Sequence, residues 1–210
     1  MIRVYLVDDH ELVRTGFRML LQQHTDFSVV GEAGSGEQAL AELRKTPADV
    51  VLCDLHLPGI SGLEVTDRLT RSDSPARVIV VSAQEDGPLP RRVLAAGANG
   101  YLGKAAPAEE LLRAIRDVAR GKRYISAAVA QQMAISSLDT TGSPFEQLSV
   151  RELEVAMLLV QGLRMTVIAD NLNLSSKTIA THKYHLFAKL GVNDIASLTR
   201  LALQHGLAAN

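Results

Sequence analysis

The stretch VVLCDLHLPGISGLEV, residues 50–65, decides the fold expected for the N-terminal part of this chain. Its apolar run stops at a carboxylate, Asp54, and a loop containing proline and glycine follows before a helical pattern resumes at Gly62. A short apolar run that leads through a tight loop into a helix is typical of a βα unit in a parallel sheet. The stretch therefore predicts a buried strand that carries an acid at its carboxyl end.

The same alternation of short β-branched runs and longer helical patterns fills residues 1–120. The strand candidates are RVYLV, FSVVGE, DVVLCD, RVIVVSA and NGYLGK. The helix candidates include ELVRTGFRMLLQQH, EQALAELRK, GLEVTDRLTR and PAEELLRAIRDVARG, the first with Leu12, Phe17, Leu20 and Leu21 near helical spacing. This order predicts an α/β domain with a five-stranded parallel sheet and helices on both faces.

Strand patterns are absent from the sequence after residue 147. Residues 121–147 hold a short helical piece, AAVAQQMAISS, and the turn-rich stretch LDTTGSPFEQ, which together predict a linker. Residues 148–210 predict an all-α domain that opens with a capping box of Ser149 and Glu152. Leu148 and Leu153 are spaced as a hydrophobic staple, and Gly162 is placed to end this first helix.

Composition and charge bound the classes of protein to be considered. With 47% hydrophobic and 21% charged residues, the chain has the composition of an ordinary soluble globular protein. It shows no membrane-length apolar run and no signal-peptide pattern, and its single cysteine, Cys53, lies in an apolar strand pattern. We therefore expect a cytoplasmic protein without membrane association. Residues 1–120 carry 14 basic and 17 acidic residues, whereas the remainder carries 8 and 6, so the halves are expected to meet different partners.

Polar residues follow the predicted strands at the points where the strands end: Asp8, Asp9, Asp54, Ser82 and Lys104. Because the carboxyl ends of parallel strands meet at one edge of a sheet, these side chains are expected to converge. Crowded carboxylates repel one another unless a cation joins them, and Mg²⁺ prefers such oxygen ligands. The pattern predicts Asp54 as a nucleophile toward a phosphoryl donor, with Lys104 and Ser82 binding phosphoryl oxygens.

These residues, within VDDH, CDLHLPG, VVSA and GYLGK, resemble the receiver domain of bacterial two-component response regulators. The resemblance implies a 2-1-3-4-5 sheet and phosphotransfer from a sensor histidine kinase to Asp54. It also implies Mg²⁺ held by Asp9, Asp54 and the backbone carbonyl of His56, with Asp8 acting through water. A switch is implied as well, in which Ser82 moves toward the phosphate and Tyr101 turns inward.

The tail contains the stretch TVIADNLNLSSKTIATHKYHLFAKL, which has helix-turn-helix spacing. Its second helix would turn Ile179 and Leu186 inward and present Lys177, Thr181 and Tyr184 on the opposite face. No acid lies between Asp170 and Asp194, so the region suits a phosphate backbone. Lys177, Thr181 and Tyr184 are predicted to reach base edges, whereas Lys183 and Lys189 are predicted to position the helix on the backbone.

The pattern LSVRELEV...IADNLNLSSKTIATHKYHLFAKLGV also resembles the LuxR-type helix-turn-helix. With the receiver it resembles a NarL/FixJ-family response regulator, notably of the GacA/UvrY branch. The resemblance implies a phosphorylated homodimer that binds double-stranded promoter DNA and activates transcription. Ala180 stands where many LuxR-type domains carry lysine. A last helix over residues 194–205 would supply a dimer contact through Ile195, Leu198 and Leu201, or would only complete the core.

Two other readings of the N-terminal half remain open from the residues. One is a Mg²⁺-dependent phosphohydrolase with an Asp nucleophile, which would place a second acid where this chain has His56. The other is a passive interaction module attached to a DNA-binding tail. The regulator reading expects no enzymatic turnover apart from Mg²⁺-dependent self-phosphorylation and dephosphorylation at Asp54. A zinc site at the spaced pair His182 and His185 is disfavoured, because no cysteine or third histidine supports the pair.

Overall fold

A computed structural model describes residues 1–72, 74–83, 85, 88–138, 143–172, 174–205 and 207. The chain divides into two compact units, one formed mainly by residues 1–132 and the other mainly by residues 133–210. Of the predicted linker, residues 139–142 lie outside the described residues.

The first unit is built on a parallel sheet with the strand order β2-β1-β3-β4-β5-β6. The strands are β1 (Ile2–Val7), β2 (Phe27–Ala33), β3 (Val50–Asp54), β4 (Arg77–Ser82), β5 (Gly100–Gly103) and β6 (Tyr124–Ile125). The expected α/β class and the order 2-1-3-4-5 are confirmed. The sheet has six strands rather than the predicted five. The sixth, β6, was not predicted because a strand of two residues is too short to show a sequence pattern.

Helices connect successive strands of this sheet. They are α1 (Glu11–Gln22), α2 (Gly36–Leu43), α3 (Gly62–Thr70), α4 (Leu89–Ala95) and α5 (Ala108–Ala119). The hydroxyls of Ser35 and Ser61 accept backbone N–H groups at the starts of α2 and α3, as expected of N-caps. Leu12, one of the apolar residues near helical spacing, is 87% exposed on α1.

The central strands of the sheet are buried on both faces. Every residue of β3 is buried, and so is every residue of β5. The apolar core on one face joins side chains of β1, β3, β4 and β5 to one side of α5. Burial on both faces explains why these strands are continuous apolar runs rather than alternating patterns.

The second unit is helical. After a 3₁₀ helix (Pro144–Gln147), its helices are α7 (Val150–Val160), α8 (Met165–Asn171), α9 (Ser176–Leu190) and α10 (Ile195–Gln204), while α6 (Ala127–Leu138) contains the division between the units. Phe145 is 1% exposed and meets His205 edge-on, with ring centroids 6.2 Å apart. The end of the predicted linker thus belongs to the core of this unit.

Helix α7 begins and ends where its sequence predicts. The Ser149 hydroxyl accepts the Glu152 backbone N–H, and the Glu152 carboxylate accepts the Ser149 backbone N–H, which completes the capping box. Leu148 and Leu153 are both buried beside it. Gly162 follows the helix at φ 79°, a conformation that glycine adopts without strain.

None of the described helices combines the length and the apolar character needed to span a membrane.

Candidate functional site

The register of the sheet brings the predicted acidic residues to one edge. Val7 pairs with Cys53, so Asp8 and Asp54 occupy equivalent positions at the ends of neighbouring strands. Asp54 pairs in turn with Val81, which places Ser82 one residue further along. Ser82 pairs with Gly103 across β4 and β5, and Lys104 follows directly.

Lys104 connects the two buried acids. Its Nζ lies 2.8 Å from Oδ2 of Asp8 and 2.9 Å from Oδ2 of Asp54. Asp8 is 2% exposed and Asp54 4%, so both carboxylates are removed from water. The Lys104 backbone N–H donates to the Ser82 carbonyl oxygen at 2.7 Å, which holds the lysine to β4. One ammonium therefore serves two buried carboxylates.

Burial is the main influence on the pKa of Asp54, and the neighbouring charges modify it. Burial raises the pKa of Asp54 to about 6, and the Asp8 charge adds to the rise, although Lys104 and the His56 backbone N–H oppose it. Burial alone would lower the pKa of Lys104, but its hydrogen bonds to Asp8 and Asp54 outweigh burial and raise it. The lysine is charged, and the pocket keeps a net negative charge when all its acids are ionised.

The acids can hold a cation. Asp8, Asp9, His10 and Asp54 each offer a ligand atom, and these atoms lie within 4.8 Å of one another. Three of the four offer carboxylate oxygens, the donors that a hard divalent ion such as Mg²⁺ prefers. The residues therefore fit the ion that the pattern predicts. The expected ligation by the His56 carbonyl stays a prediction, since the contact present is the His56 N–H donating to Asp54.

His10 belongs to this cluster, although it was not predicted as a ligand. Its Nδ1 lies 2.8 Å from Oδ1 of Asp9 and 3.3 Å from Oδ1 of Asp8. Its backbone N–H also donates to Asp8 at 2.8 Å. The signal was its position next to the acidic pair. His182 and His185 belong to no group of three or more candidate ligands among the described residues.

A glycine brings helix α3 against the backbone of Asp54. A Cβ at Gly62 would lie 1.9 Å from the Asp54 carbonyl oxygen, a distance that no side chain can occupy. The Gly62 N–H donates to the Leu55 carbonyl at 2.9 Å and closes the turn. This role could not be predicted from the sequence, because the loop pattern shows a glycine but not the group that approaches it.

The two predicted switch residues are buried on neighbouring strands of the sheet, two register positions apart. Ser82 and Tyr101 are both 0% exposed, on the neighbouring strands β4 and β5. Tyr101 pairs with Val80 on one side and with Ile125 on the other. Their movement on phosphorylation stays a prediction.

The second unit presents the predicted DNA-binding face. Ile179 and Leu186 are fully buried, while Lys177, Thr181 and Tyr184 are exposed on the opposite side of α9. The Ser175 hydroxyl caps the helix by accepting the Thr178 N–H at 3.0 Å.

Two contacts occupy polar groups near this face. Lys183 is half-buried, with its ammonium 5.2 Å from the centroid of the Phe187 ring. The Thr181 hydroxyl donates to the Lys177 carbonyl at 3.1 Å. The Thr181 oxygen can still accept a hydrogen bond, and the Lys183 ammonium keeps N–H groups that can donate.

Lys189 has a partner that its sequence position did not reveal. Its Nζ lies 2.6 Å from Oε2 of Glu152, whose side chain is 6% exposed. The backbone carbonyl of Lys189 accepts a hydrogen bond from the Gln147 side chain. Burial tends to raise the pKa of Glu152, but the Lys189 ammonium and the Ser149 N–H lower it overall. Lys189 thus joins the start of α7 to the end of α9, a structural role distinct from the predicted backbone contact.

The three residues considered for a dimer contact on α10, or for completion of the core, differ in exposure. Leu198 is 0% exposed within the single chain, so it completes the core and leaves no surface for a partner. Leu201 is half-buried. Ile195 and Leu203 are each 40% exposed, and Leu203 was not predicted.

Comparison with known proteins identifies similarity over both units. A family model described as "Response regulator receiver domain" matches residues 4–116. A second, described as "Bacterial regulatory proteins, luxR family", matches residues 146–202.

Individual proteins are similar over almost the whole chain. The response regulator UvrY of Escherichia coli (strain K12) is 45% identical over 99% of this chain and 96% of its own. The response regulator GacA of Pseudomonas aeruginosa is 44% identical over 99% and 98%. A solved structure of RcsB from Salmonella enterica serovar Typhimurium, bound to promoter P1flhDC in the presence of phosphomimetic BeF₃⁻, is 28% identical with a TM-score of 0.63, over 99% of both chains.

Proposed function

Because this chain belongs to the response regulators that combine a receiver with a LuxR-type DNA-binding domain, we propose that Asp54 is its phosphoacceptor. Its function is phosphorylation-dependent regulation of transcription. The observation that supports the acceptor is the buried arrangement in which Lys104 bridges Asp54 and Asp8. The proposed donor is the phosphohistidine of a sensor kinase.

The chain's own groups have distinct parts in the proposed transfer. An oxygen of Asp54 attacks the phosphorus, the bond to the donor breaks, and the donor leaves with the electron pair. The Lys104 ammonium, now 2.9 Å from Asp54, follows the charge onto a phosphoryl oxygen. Ser82, one residue beyond the β4 partner of Asp54, is the proposed donor to a second phosphoryl oxygen.

The same pocket is the proposed Mg²⁺ site, with Asp9, Asp54 and the His56 carbonyl as ligands and Asp8 acting through water. When bound, Mg²⁺ would supply positive charge beside the phosphoryl oxygens. The proximity of the acids supports this proposal, since ligand atoms of Asp8, Asp9 and Asp54 lie within 4.8 Å of one another.

For output, we propose that phosphorylation promotes a homodimer whose two α9 helices enter successive major grooves of promoter DNA in the cytoplasm. The exposed face of Lys177, Thr181 and Tyr184 supports this reading role. Activation of transcription is proposed by analogy with the similar regulators. Self-phosphorylation and dephosphorylation at Asp54 are the only chemistry this function requires.

Labelling of the full chain by acetyl phosphate with Mg²⁺ tests the acceptor. We expect one phosphoryl group per chain by intact mass, and none with Asp54→Asn. The matched control is Asp67→Asn, which removes a carboxylate paired with Arg71 on α3, away from the pocket. Multiple turnovers would indicate the phosphohydrolase instead, and an unlabelled wild-type chain would indicate the passive module.

A further inference from the structure

The segment that leaves the receiver is part of the receiver's sheet. In β6, Tyr124 pairs with Gly100 and Ile125 pairs with Tyr101. The Tyr124 N–H donates to the Asn99 carbonyl at 2.9 Å, and the Ser126 N–H donates to the Tyr101 carbonyl at 3.2 Å. The chain is therefore bonded to the backbone of the predicted switch residue before it continues toward the DNA-binding unit.

Side-chain contacts fasten this segment to helix α5. The Tyr124 hydroxyl lies 2.7 Å from Nη2 of Arg113 and 3.2 Å from Oε1 of Glu110. The Arg113 guanidinium also lies 5.5 Å from the centroid of the Tyr124 ring. A Cβ at Gly100 would lie 3.1 Å from the Tyr124 carbonyl oxygen, so glycine there permits the close approach of β6.

Helix α6 starts from the same anchor. The Ala130 N–H donates to the Ser126 carbonyl at 2.9 Å, and the Val129 N–H donates to its hydroxyl at 3.4 Å. Val129 is 0% exposed and Ser126 is 5% exposed. The first turn of α6 is thus fixed near the carboxyl end of β5, where Gly103 and Lys104 lie.

We propose that β6 is the coupling element between the phosphoacceptor pocket and the DNA-binding unit, an inference that rests on the proposed function. Strand β5 is short, and both of its edges are engaged: Lys104 donates to Ser82 on the pocket side, and Tyr101 accepts from Ser126 on the other. A shift of β5 when Ser82 and Lys104 take up phosphoryl oxygens is passed through this hydrogen bond to the start of α6. If β6 served only to cover the edge of the sheet, it would pair with β5 but would not transmit a shift of β5 to α6.

The first test is hydrogen exchange of the full chain with and without beryllofluoride and Mg²⁺. We expect amide exchange in residues 124–126 to change when beryllofluoride binds, because the partner strand moves. Binding itself is followed separately by ¹⁹F NMR. Bound beryllofluoride with unchanged exchange in this segment would overturn the proposal, whereas failure of the wild type to bind it would count against the proposed phosphoacceptor.

The second test compares variants with the wild type by one quantity, the DNA dissociation constant without beryllofluoride divided by that with it. The DNA is a duplex that the wild type has selected from a random pool. Ser126→Pro removes the N–H that donates to the Tyr101 carbonyl. We expect the ratio of dissociation constants to fall to about one while the ¹⁹F signal of bound beryllofluoride is retained. A ratio equal to that of the wild type would contradict coupling through β6.

A milder variant decides the question if Ser126→Pro fails to fold. Tyr124→Phe removes only the hydroxyl contacts to Arg113 and Glu110, and loss of such a hydrogen bond is expected to reduce the ratio about fivefold. The matched control is Tyr5→Phe, which removes a buried hydroxyl bonded to Glu42 at 2.5 Å, on β1. Equal ratios in both variants would overturn the proposal.

Discussion

At the scale of single residues, Asp54 shows how burial and charge oppose each other in one pocket. Burial raises its pKa to about 6, although Lys104 lies within ion-pair distance. A second buried acid, Asp8, shares that lysine and prevents full compensation. The pocket thus holds a negative charge that a divalent cation can neutralise.

The raised pKa predicts how Mg²⁺ affinity depends on pH. Below about pH 6 Asp54 is protonated, so a proton competes with the ion, whereas above that pH the carboxylate is free to bind. Between pH 7 and pH 5 we expect the Mg²⁺ dissociation constant of the wild type to rise about tenfold. Isothermal titration calorimetry measures this change, and Asp54→Asn should flatten it. An unchanged slope in that variant would contradict the assignment.

Two lysines of α9 should differ in their effect on DNA binding. Lys183→Ala is expected to weaken binding on all sequences alike and to reduce the salt slope by about one, because a phosphate contact is lost. Lys189→Ala is expected to keep the slope and to lower the free energy of unfolding by about 1 kcal/mol, since Glu152 loses its ion-pair partner. Filter binding at several salt concentrations and urea unfolding measure both. A reduced salt slope with Lys189→Ala would show that Lys189 contacts the DNA backbone after all.

At the scale of elements, the loop between β3 and α3 sets the position of the acceptor. Helix α3 starts directly beneath the Asp54 backbone because Gly62 has no side chain. The Ser61 cap satisfies the Glu64 N–H at the same end. The apolar strand places the acid at the sheet edge, and the glycine determines how closely the following helix approaches it.

A methyl group at Gly62 should therefore disturb the site. Gly62→Ala is expected to lower the free energy of unfolding by about 2 kcal/mol and to slow acetyl phosphate labelling, because the Asp54 backbone must move. Gly16→Ala is the control: nothing lies within 4 Å of its added Cβ on α1, so a gain of about 0.5 kcal/mol is expected. Intact-mass kinetics and urea unfolding measure both effects. Wild-type labelling by Gly62→Ala would refute the positioning role.

At the scale of the whole molecule, the charges match the two proposed tasks. The N-terminal 120 residues carry the acidic excess, and α9 lies in a stretch without any acid. The acidic part suits a cation and the other part suits a phosphate backbone. This division agrees with a regulator that receives a signal in one unit and reads DNA with the other.

Phosphorylation should change the assembly of the full chain. With beryllofluoride and Mg²⁺ we expect sedimentation velocity to show dimers, and DNA affinity to rise by about 100-fold through effective concentration. Asp54→Asn should remain monomeric under the same conditions. A monomeric wild type whose affinity nevertheless rises would separate activation from dimerisation.

The exposed part of α10 should support the DNA-bound dimer. Ile195→Ser is expected to weaken binding to an inverted repeat with little loss of stability, since its side chain is 40% exposed. Leu198→Ser should instead lower the free energy of unfolding by about 3 kcal/mol, because that side chain is fully buried. Gel shifts and urea unfolding distinguish the two. If Ile195→Ser bound the inverted repeat as tightly as the wild type, the proposed dimer contact on α10 would be wrong.

Features that depend on neighbours along the chain could be predicted. Apolar runs indicated the five longer strands, and the acids at their ends indicated the pocket, because parallel strands of a βαβ sheet end at the same edge. The capping box at Ser149 and Glu152 and the exposed face of α9 also follow from local spacing. The sequence by itself thus determined the fold class, the convergence of the pocket residues and the orientation of α9.

Only the tertiary structure decided contacts between distant residues. Lys189 meets Glu152 across 37 positions, and Tyr124 pairs with Gly100 in a strand of two residues. The burial of Leu198 and the approach of Gly62 to Asp54 depend likewise on how elements pack. Periodicity states which side of an element faces inward, but it does not state which group lies there, because that depends on the three-dimensional arrangement of the surrounding elements.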